Sequence, residues 1–175
     1  VHLAGQLSLG PGAMISDYLQ SNVELTERVA LAAIDAGACR LVFASSRLVY
    51  PSTLEHPAKE SEACPDTAYG MSKYLAEQVI QYLARESELS CISLRLSQLV
   101  GSGDGNRGVL ARFATAANDG GPVTVSGDGV AVRDFLDVRD AALAVRSALD
   151  AEHPVGVVNI GGGPRSVREL ARSAV

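Results

Sequence analysis

Leu41-Val-Phe-Ala-Ser-Ser-Arg-Leu-Val-Tyr50 decides how the chain folds. Its first half is a short continuous apolar run that ends in small polar residues. Such a run reads as a strand buried on both faces, and the serines mark where it leaves the core. On its N-terminal side, 13–36 reads as a long helix. Leu19, Val23, Val29, Ala33 and Ile34 give that helix a partly apolar stripe, and Gly37 stops it. On its C-terminal side, 47–66 reads as a long loop with three prolines, followed by a second long helix at 68–86 and a strand at 91–96. Farther out come a helix at 109–117, a short strand at 123–125, an extended piece at 134–136, a helix at 138–149, a strand at 157–160 and a helix opening at Val167. At the other end, 1–4 is the end of a buried strand, and 5–12 is a loop with a Gly-Pro-Gly turn. Helices alternating with short apolar strands predict an α/β, doubly wound parallel sheet covered on both faces. Ligands of such sheets sit beyond the carboxyl ends of the strands, which singles out the loops after Ala4, Ser45 and Leu96.

Composition narrows the class. The 175 residues are 47% hydrophobic and 20% charged, which is enough apolar material for a packed core and excludes a disordered chain. The net charge of −5 argues against a nucleic-acid partner, whose phosphates call for a basic surface. No apolar stretch approaches the ~20 residues of a membrane span, and no signal peptide opens the chain. A cytoplasmic protein with no membrane partner is therefore expected. The three cysteines are scattered without CxxC spacing and no HExxH appears, so no metal site is expected.

Gly103-Asp-Gly-Asn-Arg-Gly108 matches GxGxxG, and Asp128 follows 20 residues on. The strand expected at 123–125 is too short for the second strand of a nucleotide-binding unit. Asp128 also lies in a Gly127-Asp-Gly129 turn and not at a strand end. The match reads as a flexible glycine turn near a substrate.

The residues that carry chemistry lie elsewhere. Tyr69-Gly-Met-Ser-Lys73 places a phenol and an ammonium at i and i+4, on one helix face. A phenol titrates near 10, so a proton shuttle at neutral pH needs roughly 3 units of help, or about 4 kcal/mol. A nearby cation supplies part of that. Lys73 is one of only two lysines, against 13 arginines, which gives the spacing weight. Ser45-Ser46 ends a strand, where a hydroxyl can bond a reacting substrate oxygen.

These pieces come in one order. Val1-His-Leu-Ala4, Asn22-Val23, the 41–50 stretch, Tyr69-Gly-Met-Ser-Lys73 and Leu94-Arg-Leu-Ser-Gln-Leu-Val-Gly101 are followed by Gly127-Asp-Gly129, Arg133-Asp-Phe135, Asp140 and Val158-Asn-Ile-Gly161. The set resembles the extended short-chain dehydrogenase/reductases, in their NAD-dependent epimerase/dehydratase branch, from the first residue to the last. The resemblance implies a Rossmann-like fold, incomplete at the N-terminus, with part of a small C-terminal substrate region. It divides the chain into 1–98, the rear of an NAD(P)-binding domain, and 99–175, a mixture of substrate-binding and remaining Rossmann elements.

By the same resemblance Tyr69 is the catalytic acid/base. Lys73 holds the nicotinamide ribose and depresses the Tyr69 pKa, and Ser46 orients the substrate. Leu3 and Ala4 pass the cofactor, which is NAD or NADP, and Asn22 flanks it. Arg133 grips the diphosphate of a nucleotide sugar, a task suited to its bidentate fork. Gln98 stands where the family has a substrate-contacting asparagine. Taken without the family, Arg133 also reads as a surface ion pair with Asp134 or Asp137. The family's dehydratases carry an acidic pair after the catalytic serine or threonine, where this chain has Arg47 and Leu48. That favours epimerisation or simple oxidation and reduction.

Three functions follow. The first is an NAD(P)-dependent sugar-nucleotide epimerase or related oxidoreductase. The second is a reductase or dehydrogenase of a non-nucleotide sugar acid or carbonyl compound, kept open by Gln98. The third is a truncated, non-catalytic binding or interaction fragment, because Val1–Ala4 matches the family's fourth strand and the phosphate-binding glycine loop would lie before it. These 175 residues alone are then expected to bind NAD(P) poorly, and one edge of the first strand is expected to stay unpaired. Relatives pair through the two long helices, so a homodimer through 13–36 and 68–86 is also implied.

Overall fold

A computed structural model describes residues 1–7, 9–54, 57–102, 108–152 and 156–173. The chain divides into two compact units: residues 1–96 with 143–160, and 97–142 with 161–175.

The first unit is built on a parallel sheet of three strands, β1 (Arg40–Ser46), β2 (Ser90–Leu96) and β5 (Val157–Ile160), in the order β1-β2-β5. His2 adds a single parallel bridge to Phe43 on the free edge of β1, with the His2 amide donating to Val42 at 2.8 Å. The expected first strand is thus one bridge long, and Val1 and Leu3 on either side of it are exposed. Strand alternation splits the core into two layers. Leu41 and Phe43 of β1 pack on one face with Ala30, Ala76, Ile80 and Leu89, contributed in part by helices α2 (Leu25–Asp35) and α3 (Ala68–Arg85). Val42, Ile92 and Leu94 pack on the other with Ala144, Val145 and Ala148 of α5 (Val138–Asp150). The sheet is covered on both faces, as the apolar runs predicted.

The helix predicted over 13–36 is shorter and interrupted. A single turn, α1 (Ser16–Tyr18), runs into a π-helical segment, Leu19–Glu24, before α2 begins. The wider π turn carries Asn22, whose side chain is buried and bonded to groups outside the helix, and π segments often mark functional sites. Gly37, at φ +65, ends α2 with its own amide bonded to Ile34 and the Ala38 amide bonded back to Ala33, the close expected of a left-handed glycine.

The second unit holds β3 (Gln98–Val100), α4 (Val109–Asn118), β4 (Val132–Asp137), β6 (Pro164–Ser166) and α6 (Val167–Ser173). Its small sheet has the order β3-β4-β6, with β3–β4 parallel and β4–β6 antiparallel. One expectation fails here. Residues 123–125 form no strand, since Pro122 removes one backbone donor and the apolar run is only Val123 and Val125 around Thr124. β6 pairs antiparallel with β4, with Arg133 opposite Arg165. The GxGxxG stretch falls mostly on 103–107, outside the described residues. No described helix is long and apolar enough to cross a membrane.

Candidate active site

Three local devices build the site of the first unit. β1 ends at Ser46, whose hydroxyl accepts a bond from the Leu48 amide at 3.2 Å and so caps a 3-10 turn, Arg47–Val49. Thr67 caps α3 in the same way, accepting from the Gly70 amide at 3.0 Å, which sets Tyr69 in the first helical turn. Gly70 lets the two meet: a Cβ there would overlap the Leu48 carbonyl. The start of α3 therefore lies flush against the turn that follows Ser46.

Tyr69 and Ser46 are brought together by this contact. Burial pushes the Tyr69 phenol above its ordinary value, the nearby Tyr18 phenol adds to that, and hydrogen bonding with Ser46 pulls the other way. Tyr18 itself is buried, makes an edge-on ring contact with Tyr69 at 5.9 Å and accepts a bond from the Leu9 amide at 2.7 Å. A cavity of about 510 Å³ opens beside them, lined by Tyr69, Tyr18, Leu48, Thr67 and the Gly10-Pro11-Gly12 turn.

Lys73 lies one turn behind Tyr69 and is 7% exposed. Its Nζ sits 4.4 Å from the centre of the Phe43 ring, and it has no hydrogen bond or ion pair with any described residue. Burial lowers its pKa to about 8, against a smaller upward pull from Glu77. On Phe43 stacks the His2 ring, centroids 5.3 Å apart, and His2 bonds Thr26 at 2.9 Å. Burial and then Lys73 lower the His2 pKa, which favours the uncharged ring. Lys73 does not depress Tyr69 among these groups; the phenol's raised value is set by its burial.

Asn22 is a clip. Its Oδ1 accepts from the Gln6 amide at 2.6 Å, and its Nδ2 donates to the Gln6 carbonyl at 3.1 Å and to Ser72 at 3.0 Å. Both amide hydrogens are used, and they tie the segment after Leu3 and Ala4 to α3. Leu3 and Ala4 themselves are exposed.

Gln98 and Arg133 belong to the second unit. Gln98 opens β3 opposite Phe135. Arg133 is exposed on β4, directly opposite Arg165 of β6. The ion pair with Asp134 or Asp137 does not form. Asp134 accepts from the Gly162 and Gly163 amides, and Asp137 pairs with Arg139 at 2.6 Å.

The sequence reading missed a buried charge pair. Arg95 on β2 makes a bidentate bridge to Glu77 on α3, with side chains 3% and 0% exposed. An arginine inside an otherwise apolar strand was the available signal, since a buried charge demands a partner. Gly70 was missed as well, because nothing local in sequence announces a carbonyl arriving from 22 residues away.

Comparison with known proteins adds a second line. The model of the NAD dependent epimerase/dehydratase family matches residues 1–161. The chain belongs to this family. It is 30% identical over 131 residues to the dTDP-4-dehydro-6-deoxyglucose reductase of Escherichia coli, covering 73% of this chain and 42% of that protein. Its fold matches the UDP-N-acetylglucosamine 4-epimerase from Bacillus cereus with TM-score 0.88 and 31% identity, over 99% of this chain and 60% of the other. It matches MoeE5, solved in complex with UDP-glucose and NAD, with TM-score 0.83 and 31% identity over the same shares. The chain spans about half the length of the curated family members it matches.

Proposed function

We propose that this chain carries the proton-transfer half of an NAD(P)-dependent enzyme that epimerises a nucleotide sugar. One observation carries the reading: Tyr69 lines a cavity and hydrogen-bonds Ser46, with a nearly buried ammonium, unpaired among the described residues, one helical turn behind. That ammonium is also the test of fit for the cofactor. Lys73 offers three N–H donors that no described residue uses, and a ribose offers the matching hydroxyl oxygens. Leu3, Ala4 and Lys73 would hold the dinucleotide, with Asn22 fixing the backbone that follows. When bound, NAD(P) supplies hydride transfer.

The chain's own residues then act as follows. Ser46 orients the sugar hydroxyl and donates to it. Tyr69 Oη removes the hydroxyl proton as the carbonyl forms and returns it at the end. Since burial raises the phenol, its anion has to be stabilised by positive charge that arrives when the cofactor and substrate bind. Arg133 grips the diphosphate. Two guanidinium-bearing residues directly opposite on a ladder repel, and an anion between them removes that cost. Gln98 contacts the sugar. Similar structures solved with UDP-glucose and NAD support this substrate class, and Arg47-Leu48 in place of an acidic pair supports epimerisation over dehydration.

The resemblance to a reductase keeps a second reading, reduction without epimerisation. Incubating the complete protein with UDP- and dTDP-sugars and NAD, and separately with keto-sugar nucleotides or free keto sugar acids and NAD(P)H, separates the two. Formation of a C4 epimer is expected. Reduced product only, or activity confined to free acids, would select the reductase.

The assembly we propose is a homodimer through the helices at 13–36 and 68–86. Leu19, Leu31 and Tyr82 on these segments are 44%, 43% and 62% exposed. Light scattering on wild type and Leu31→Glu tests it: a dimer that the substitution converts to monomer is expected, and a monomeric wild type contradicts it.

A further inference from the structure

Helix α3 sets Lys73 and Glu77 four residues apart, the spacing at which an ammonium and a carboxylate ordinarily pair. They form no ion pair. Glu77 is occupied from the sheet instead. Arg95 Nε donates to Oε1 at 3.0 Å, an Arg95 terminal nitrogen donates to Oε2 at 2.7 Å, and the Ser45 hydroxyl also donates to Oε1. The other terminal nitrogen of Arg95 is fixed by the Tyr50 hydroxyl and the Glu60 carbonyl, each at 2.8 Å. Tyr50 in turn donates to Asn159 at 2.6 Å. The guanidinium therefore cannot swing away from the carboxylate, and the carboxylate cannot swing toward Lys73. The ammonium rests on the Phe43 ring, a contact that leaves its N–H donors unused.

We propose that Arg95 is a positioning residue: by claiming Glu77 it keeps the Lys73 ammonium unpaired, so that its donors stay open to an oxygen ligand. The ligand is the dinucleotide ribose on the function argued above, and to that extent the inference rests on it. Among the described residues, few groups face Lys73. Glu77 and Tyr69 lie one turn away on its own helix, and His2, whose charged form burial disfavours, approaches from the first strand. Arg95 acts through Glu77. A lysine and a carboxylate left to each other in a buried site would close into a pair, and a ligand would have to break it.

The test reads Lys73 itself, without cofactor. The complete protein is labelled with 13C-lysine, and the Lys73 Cε signal is assigned by its loss in Lys73→Arg. In wild type, burial is expected to bring its midpoint down to about 8. In Arg95→Met, Glu77 is released to Lys73, and the midpoint is expected to rise by at least ~1 pH unit. In the double variant Arg95→Met/Glu77→Gln both charges go together, no buried charge is orphaned, and the midpoint is expected within about half a unit of wild type. A midpoint that does not move in Arg95→Met overturns the proposal. So does a fall of more than ~1 unit in the double variant, which would mean that Glu77 already pairs with Lys73. The double variant decides alone if Arg95→Met does not fold. NAD binding by calorimetry then separates the two layers: a roughly tenfold loss in Arg95→Met, restored in the double variant, supports both. Unchanged affinity alongside the shifted midpoint would leave Arg95's role standing and remove the ribose from the account of Lys73.

Discussion

Lys73 sits where its own charge is disfavoured, and that tension is measurable. Its pKa near 8 lies below that of an unfolded lysine, so the folded chain loses this proton first as pH rises. Between about 8 and 10.5 the unfolded chain binds more protons, and stability rises with pH across that window. Lys73→Met removes the penalty. Its melting temperature should exceed that of wild type at pH 7 and the difference should fade by pH 10; a variant less stable at pH 7 contradicts the burial account. Stability and function oppose each other at this residue, as expected of a site whose charge is kept for a ligand. The i, i+4 spacing of Tyr69 and Lys73 was legible in the sequence because it is local. Glu77 was just as close, but its partner Arg95 arrives from another strand, and no local pattern connects them.

The elements around the site were legible in kind and less so in detail. β1, α3, β2, α5 and β5 follow from apolar runs and helical stripes, which report burial directly. The π segment at Leu19–Glu24 was not, because its cause is the tertiary demand of Asn22 for Gln6 and Ser72. Nor was β6, a three-residue strand opened by a proline. The flush contact of α3 with the turn after Ser46 depends on Gly70. Gly70→Ala drives a methyl group into the Leu48 carbonyl, and overpacking of that kind costs roughly 1–3 kcal/mol. Chemical denaturation should register that loss, and turnover should fall further than stability alone explains, because Tyr69 moves relative to Ser46. A neutral Gly70→Ala would contradict the placement of α3.

At the scale of the molecule, the two units divide the work proposed for them: proton transfer in the first, diphosphate binding in the second. Arg133→Ala tests the division. It should raise KM for a UDP-sugar by about tenfold or more while leaving kcat within a few-fold, the signature of binding that ground and transition states share. A fall in kcat with KM unchanged would move Arg133 into the chemistry. The family was legible across the whole chain because its motifs keep their order from Val1 to Gly161, even though each alone is weak. Which sugar the proposed activity would use was not legible, since Gln98 departs from the residue that the family resemblance leads one to expect, and such a choice rests on the shape of a site, which spacing does not encode.

The central claim is that the Tyr69 phenol moves the substrate proton. The most direct measurement is the turnover of Tyr69→Phe in the complete protein, with NAD and the UDP-sugar that the wild type converts, alongside the affinity for that sugar. The substitution removes one oxygen and leaves the ring against Tyr18. A loss of roughly a thousandfold or more in kcat, with binding kept, is the result predicted. Turnover within tenfold of wild type would contradict it.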